Sequence, residues 1–154
     1  MIQLVDSVNS GNQEFRPEGI FTLNIYRKGV LIEVYEDANL VVNLSKQQLA
    51  RLIGGDVANR SLTKIGFGTS GTAPAAGNTS LTGAYVNALG AVTYPATNAV
   101  QYAFTLGTSE ANGLSIMEFG LFTTGNVLFA RKTRAGAIVK DSDLSLAGTW
   151  RINF

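Results

Sequence analysis

Phe21-Thr22-Leu23-Asn24-Ile25-Tyr26, Arg27-Lys28-Gly29 and Val30-Leu31-Ile32-Glu33-Val34-Tyr35 are three consecutive stretches that read as strand, turn, strand. The first alternates apolar and polar residues, as a half-buried strand does. The glycine-ended triplet gives a tight turn, and the second run alternates again. On that alternation Val30, Ile32 and Val34 share one face, and Leu31, Glu33 and Tyr35 the other. Asn39-Leu40-Val41-Val42-Asn43 is placed to extend the second strand.

Working outward, the rest of the chain is mostly more of the same. Short strands are expected at 62–67, 84–94, 99–107, 114–122, 127–133 and 144–153, separated by turn chemistry. Gly125-Asn126 stands between two apolar runs and fits a hairpin turn. One helix is expected. Ser45 is its N-cap with Gln48 three residues on, the capping-box spacing; Leu49, Leu52 and Ile53 form its apolar stripe, and Gly54-Gly55 stops it. Residues 68–83 are a long loop of Gly, Ser, Thr and Ala. Residues 1–18 are polar and read as an extended N-terminal arm, ordered by a neighbour. The expected fold is therefore mainly β: a single β-sandwich, jelly-roll-like or Greek key, over residues 19–154, with one short α-helix.

Composition narrows the function. Charged residues make up 15% of the 154 residues, against roughly 25% in ordinary soluble domains. A charge-poor surface suits contact with other protein copies, because few charges must be desolvated. The net charge of +1 gives no global field toward nucleic acid or an anionic membrane. Cysteine and histidine are both absent, which removes disulfides, thiolate metal sites and the usual general base. No apolar run reaches the ~20 residues of a membrane helix, and the N-terminus lacks the pattern of a signal peptide. Neither an enzyme, a cofactor, a metal, a nucleic acid nor a membrane is expected.

Several motifs need weighing. Gly66-Phe67-Gly68-Thr69-Ser70-Gly71 matches G-x-G-x-x-G, but no crossover helix follows, so a loop leaving a strand is the expected role. Asp141-Ser142-Asp143 reads as a turn before the last strand. Among Glu33, Glu36, Asp37, Glu110 and Glu118 no spacing picks out a catalytic pair. Arg131-Lys132-Thr133-Arg134 is too short and too poor in aromatics for nucleic acid. Glu118 is the informative acid. It lies in Leu114-Ser115-Ile116-Met117-Glu118-Phe119-Gly120-Leu121-Phe122, on a face shared with Ile116 and Phe122. A carboxylate there needs a partner or water. Arg131, Lys132, Arg134, Lys140 and Arg151 are the candidate partners, within the fold or across a subunit contact. Trp150, Ile152 and Phe154 share one face of a closing strand. Tyr26, Tyr35, Tyr85, Tyr94, Tyr102 and Trp150 are the aromatics that a glycan-binding module would use.

The order of certain short motifs resembles that of structural proteins of tailed bacteriophages. The pieces are Ile65-Gly66-Phe67-Gly68-Thr69-Ser70-Gly71-Thr72-Ala73-Pro74, Met117-Glu118-Phe119-Gly120-Leu121-Phe122, Leu128-Phe129-Ala130-Arg131 and Thr149-Trp150-Arg151-Ile152-Asn153-Phe154. Lys28-Gly29-Val30-Leu31-Ile32-Glu33 and Asn39-Leu40-Val41-Val42-Asn43 look like the opening of such proteins. The resemblance spans about residues 19–154. It implies a non-enzymatic virion component, made in the host bacterial cytoplasm and homo-oligomeric, and it transfers no catalytic residue. The preferred expectation is a capsid decoration, or cement, protein with the major capsid protein as partner. The alternative is a tail, collar, baseplate or fibre-attachment subunit, and a glycan-binding module is a third class.

Overall fold

A computed structural model describes residues 15–154. The hairpin that opens the sequence argument is β1 (Glu18–Arg27) and β2 (Val30–Val41). Lys28 and Gly29 turn it with φ of 51° and 78°, the left-handed pair that matches the twist of the flanking strands. α1 (Leu44–Ile53) follows, and then β3 (Leu62–Gly68), β4 (Tyr85–Ala88), β5 (Val92–Ala96), β6 (Ala99–Leu106), β7 (Ser115–Thr123), β8 (Leu128–Val139) and β9 (Leu144–Asn153). The strands form one antiparallel sheet in the order β4-β3-β7-β8-β2-β1-β9-β6-β5.

The sheet curls, so that β1, β6 and β9 face β3, β7 and β8 across a shared core. Aromatic rings mark the contact: Phe21 of β1 lies 4.6 Å from Phe119 of β7, and Phe104 of β6 lies 6.2 Å from Phe67 of β3. Trp150 is fully buried 5.0 Å from Phe21. Two segments turn the corners. β2 pairs with β1 along its length but with β8 only at Leu40 and Val41. The β4–β5 segment crosses between the two ends of the sheet. Leu89 N donates to Thr63 O on one side, and Gly90 N to Ala103 O on the other. Bends of this kind let a strand serve both sides of a core. They also cover much of the open edge that a flat sheet would expose.

Four sequence expectations are revised. The strand expected at 84–94 is two strands, because the crossing between the sheet's ends interrupts pairing after Ala88. β8 continues past 133 to Val139. The helix starts one residue before Ser45, with Asn43 at its N-cap, so the capping box does not form. Ser45 N donates instead to Val42 O, while Asn43 is held through its own N–H on Ala76 O. The even alternation along β2 is broken by a bulge. Tyr26 pairs with Leu31 but Ile25 with Glu33, which leaves Ile32 as the extra residue. Leu31 and Val34 therefore share the outward face, and Glu33 and Tyr35 the inward one, opposite Ile25 and Leu23. The arm expected at 1–18 lies outside the described residues as far as residue 14. Beyond that, Phe15 stacks on Phe154 at 6.3 Å and β1 begins at Glu18.

Candidate functional site

Glu118 sits at the centre of β7 and is 1% exposed. Both Nε and Nη2 of Arg131, on the adjacent β8, stand 2.8 Å from its Oε2. Its Oε1 accepts the backbone N–H of Thr82 at 2.6 Å and of Ser70 at 3.2 Å. Arg131 Nη1 donates to Asn78 Oδ1. The pair thus holds both ends and the middle of the 69–82 loop against the sheet. The glycines of the G-x-G-x-x-G run make room for it. A Cβ on Gly68 would stand 2.5 Å from Glu118 Oε1, and one on Gly71 would stand 2.7 Å from Met117 Cε. The glycines let side chains pack close: Gly68 against the Glu118 carboxylate, Gly66 against Phe122 and Leu81, and Gly71 against Met117.

The other candidate cations have separate partners. Lys132 donates to Asp37, and Arg134 to Glu33 at 2.9 Å, across the gap that opens between β2 and β8. Tyr35 lies between them, its ring centroid 5.6 Å from each cation. Asp37 is held below the usual carboxylate range, first by the Lys132 hydrogen bond and then by Ala38 N–H. Burial pulls the Lys132 ammonium down, but its bonds to Asp37 and Tyr35 outweigh that and the net shift is upward. Lys140 is 1% exposed and donates to Thr108 O, Asn112 Oδ1 and Asp141 O; burial lowers its pKa. Arg151 donates to Asn153 Oδ1. Of the five candidates, the structure brings Arg131 alone to Glu118. The basic cluster is neutralised inside the chain.

Asp141 and Asp143 form the turn before β9, with Asp141 Oδ1 accepting the Asp143 N–H. They also meet Arg27 and Lys28 of the hairpin. Among the described residues no group of three or more acids, histidines or cysteines could hold a metal. No helix among them is long and apolar enough to cross a membrane.

Two of the exposed apolar regions lie at opposite ends of the strands. At the hairpin end Val30, Leu31, Ile32 and Val34 are 48–64% exposed on one strand. Among the described residues no ladder pairs the second edge of β2 before Leu40. An apolar strand edge without a neighbour is one that proteins usually cover or blunt. At the opposite end a groove of about 360 Å³ opens between α1 and the sheet. Its walls include Leu49 and Leu52 of α1, Val92 and Tyr94 of β5, Tyr102 of β6 and Phe154. Arg60 at its side donates to Gln48 Oε1 and Asp56 Oδ2. Burial pushes the Tyr102 hydroxyl up to about 12. Of the six aromatics considered as glycan platforms, Tyr94 and Tyr102 meet in this groove, whereas Trp150 is consumed by the core. Sequence reasoning did not find the groove. Its walls come from elements scattered along the chain, and only the aromatics gave a signal.

No family model matches the chain, and neither a curated protein nor a solved structure matches it.

Proposed function

We propose that this chain is a non-enzymatic assembly subunit, a structural protein of a tailed-phage particle, with capsid decoration preferred to a place in the tail. The observation that carries "assembly subunit" is the exposed apolar hairpin, Val30 to Val34, in a chain whose charged groups are otherwise largely paired internally. Leaving that strand in water forfeits roughly 1.5–3 kcal/mol for each large side chain that a partner would bury. The outward faces of β1, β9 and β6 add Thr22, Asn24, Ala147, Thr149 and Ala103 in register, an uncharged surface with no charge to desolvate on contact. "Phage" is supported by the order of sequence motifs. On this reading the curled sheet is a β-sandwich of jelly-roll-like or Greek-key type, and the partner is the major capsid protein. The tail, collar or baseplate reading differs only in the partner.

Counting copies in purified particles tests it. Quantitative mass spectrometry should find the chain in the particle. Copies in the hundreds indicate the shell, and a number matching a three-fold or six-fold tail structure indicates the tail. Absence from the particle would defeat the proposal. A glycan-binding reading is favoured by one feature, the meeting of Tyr94 and Tyr102 in the groove, and an oligosaccharide array tests it.

A further inference from the structure

We propose that the chain cross-links itself, Lys140 Nζ forming an isopeptide bond with the side-chain carbonyl carbon of Asn112 and releasing ammonia. This is a single self-modification without turnover, and it is independent of the assembly reading.

Lys140 directly follows β8 and is among the largest fully buried side chains. Three oxygens surround its Nζ: Asn112 Oδ1 at 2.9 Å, Asp141 O at 3.0 Å and Thr108 O at 3.3 Å. An ammonium meets all three with its N–H groups. A neutral amine has two N–H groups, so the main-chain carbonyls take both and the lone pair faces Asn112. Burial favours that neutral form, lowering the Lys140 pKa against the pull of Asp141 and Glu110. The backbone fixes the approach. Gly113 N donates to Lys140 O and Lys140 N to Leu114 O, both at 2.9 Å, which latches the loop after β6 to the residue carrying the amine. Inside this latch Ser115 is in register with Val139 and Ile116 with Ile138. Holding the two groups in contact removes most of the entropic cost of bringing an amine to an amide. Asn112 itself is exposed and lines an open hollow with Gly83, Tyr85 and Leu114, which gives the released ammonia a way out.

Glu110 carries the protons. It stands two residues before Asn112, and its charge acts on the Lys140 ammonium. Asp141 acts there too, but Arg27 binds the Asp141 carboxylate. Glu110 is held by neutral donors: Gly107 N at 2.6 Å, Asn87 Nδ2 at 3.2 Å and the Tyr85 hydroxyl at 3.5 Å. A carboxylate so placed passes protons by contact or across one water. Glu110 takes the proton that frees the amine. The Nζ–Cγ bond forms, a second Nζ proton passes to Nδ2, and the Cγ–Nδ2 bond breaks to release ammonia. The first proton then leaves Glu110 for that ammonia. A lysine ammonium and a carboxamide thus become a secondary amide and an ammonium ion, with no co-reactant. The new bond closes a covalent ring around the β7–β8 hairpin, whose strands can then no longer separate at their open end.

Intact-mass measurement of the purified full chain, followed by tryptic mapping, tests this. The wild type should be lighter by one ammonia than its sequence requires. Trypsin should leave Lys140 uncut and yield a branched peptide that joins it to Asn112. Glu110→Gln should slow the cross-link by roughly a hundredfold. Asn112→Ala should abolish it, and circular dichroism melts establish that both variants fold. A wild type that keeps its full mass after prolonged incubation would overturn the inference. So would a mass deficit with Lys140 still cut, which marks a cyclic imide at Asn112-Gly113 instead. A cross-link formed at the wild-type rate in Glu110→Gln would overturn the part given to Glu110. None of these outcomes bears on the number of copies in particles, so the assembly reading stands or falls separately.

Discussion

Glu118 shows how much one side chain can organise. Its carboxylate lies among Ile116, Gly68 and the core, and it is tolerated because Arg131 and two backbone N–H groups fill its lone pairs. Its need for a partner was legible in the sequence from an acid set in an apolar strand face. Which cation supplies it was not, because Arg131 becomes its neighbour only through the β7–β8 register, where Gly120 pairs with Arg131. Glu118→Ala should destabilise the fold by about 3–5 kcal/mol, since it leaves a buried guanidinium without its counter-ion. Urea titration measures the loss, and limited proteolysis should show new cuts within 69–82. Tyr102 gives a second residue-scale expectation. Its hydroxyl is held neutral up to about pH 12, above the usual 10, by burial. The unfolded chain therefore loses this proton first as pH rises. The stabilisation is whole below pH 10 and is lost through about 12, on the order of 2 kcal/mol. Ultraviolet titration of wild type against Tyr102→Phe reads that late ionisation directly.

At the scale of elements, the hairpin is set by local chemistry and the last strand by its neighbours. Lys28-Gly29 turns β1 into β2 through its own backbone angles, and the Asp141–Asp143 turn then braces it, with Lys28 N donating to Asp143 O. β9 lies between β1 and β6, paired to β1 along its whole length and to β6 from Leu146 to Asn153. Its Gly148 is required there: a Cβ would meet Thr22 O at 2.1 Å and the Phe104 ring at 2.6 Å. A chain ending at Gly148 loses Trp150 and Ile152 from the core and five residues from two ladders. It should fail to fold, and native dispersion in its proton NMR spectrum would contradict the placement of this strand. The helix shows where local signals mislead. Ser45 and Gln48 have the spacing of a capping box, yet both are buried, and Arg60 holds the Gln48 carboxamide. Packing against the sheet displaced the cap.

For the whole molecule, curling is what turns a strip of strands into a domain with two unlike ends. The curl closes the core, lets β4–β5 span both ends of the sheet, and leaves the hairpin tip and the α1 groove facing opposite ways. Ion pairs stitch the outside of the same curl. Asp37 is lowered mainly by Lys132, Asp56 by Arg60 and Asp141 by Arg27. Groups with depressed folded pKa values give stability that is present above the ordinary carboxylate pKa of about 4 and lost as pH falls through the folded values. The melting temperature should accordingly fall as the pH is taken from 5 to 2. Asp37→Asn should remove part of that slope.

The sequence by itself determined the strand-rich character, the Lys28-Gly29 hairpin, the helix and the burial of Trp150, because each follows from contacts or periodicities only a few residues long. It also marked Glu118 as needing a partner and left the surface poor in charge. Only the tertiary structure decided the curl, the division of 84–94 into two strands, the choice of Arg131 and the bulge at Ile32. It alone made the groove, whose walls come from α1, β3, β5, β6, β8, β9 and Phe154. Those features depend on strand order and register, which are fixed when distant segments compete for the same core. The pattern of a single segment carries no record of which neighbour it will meet.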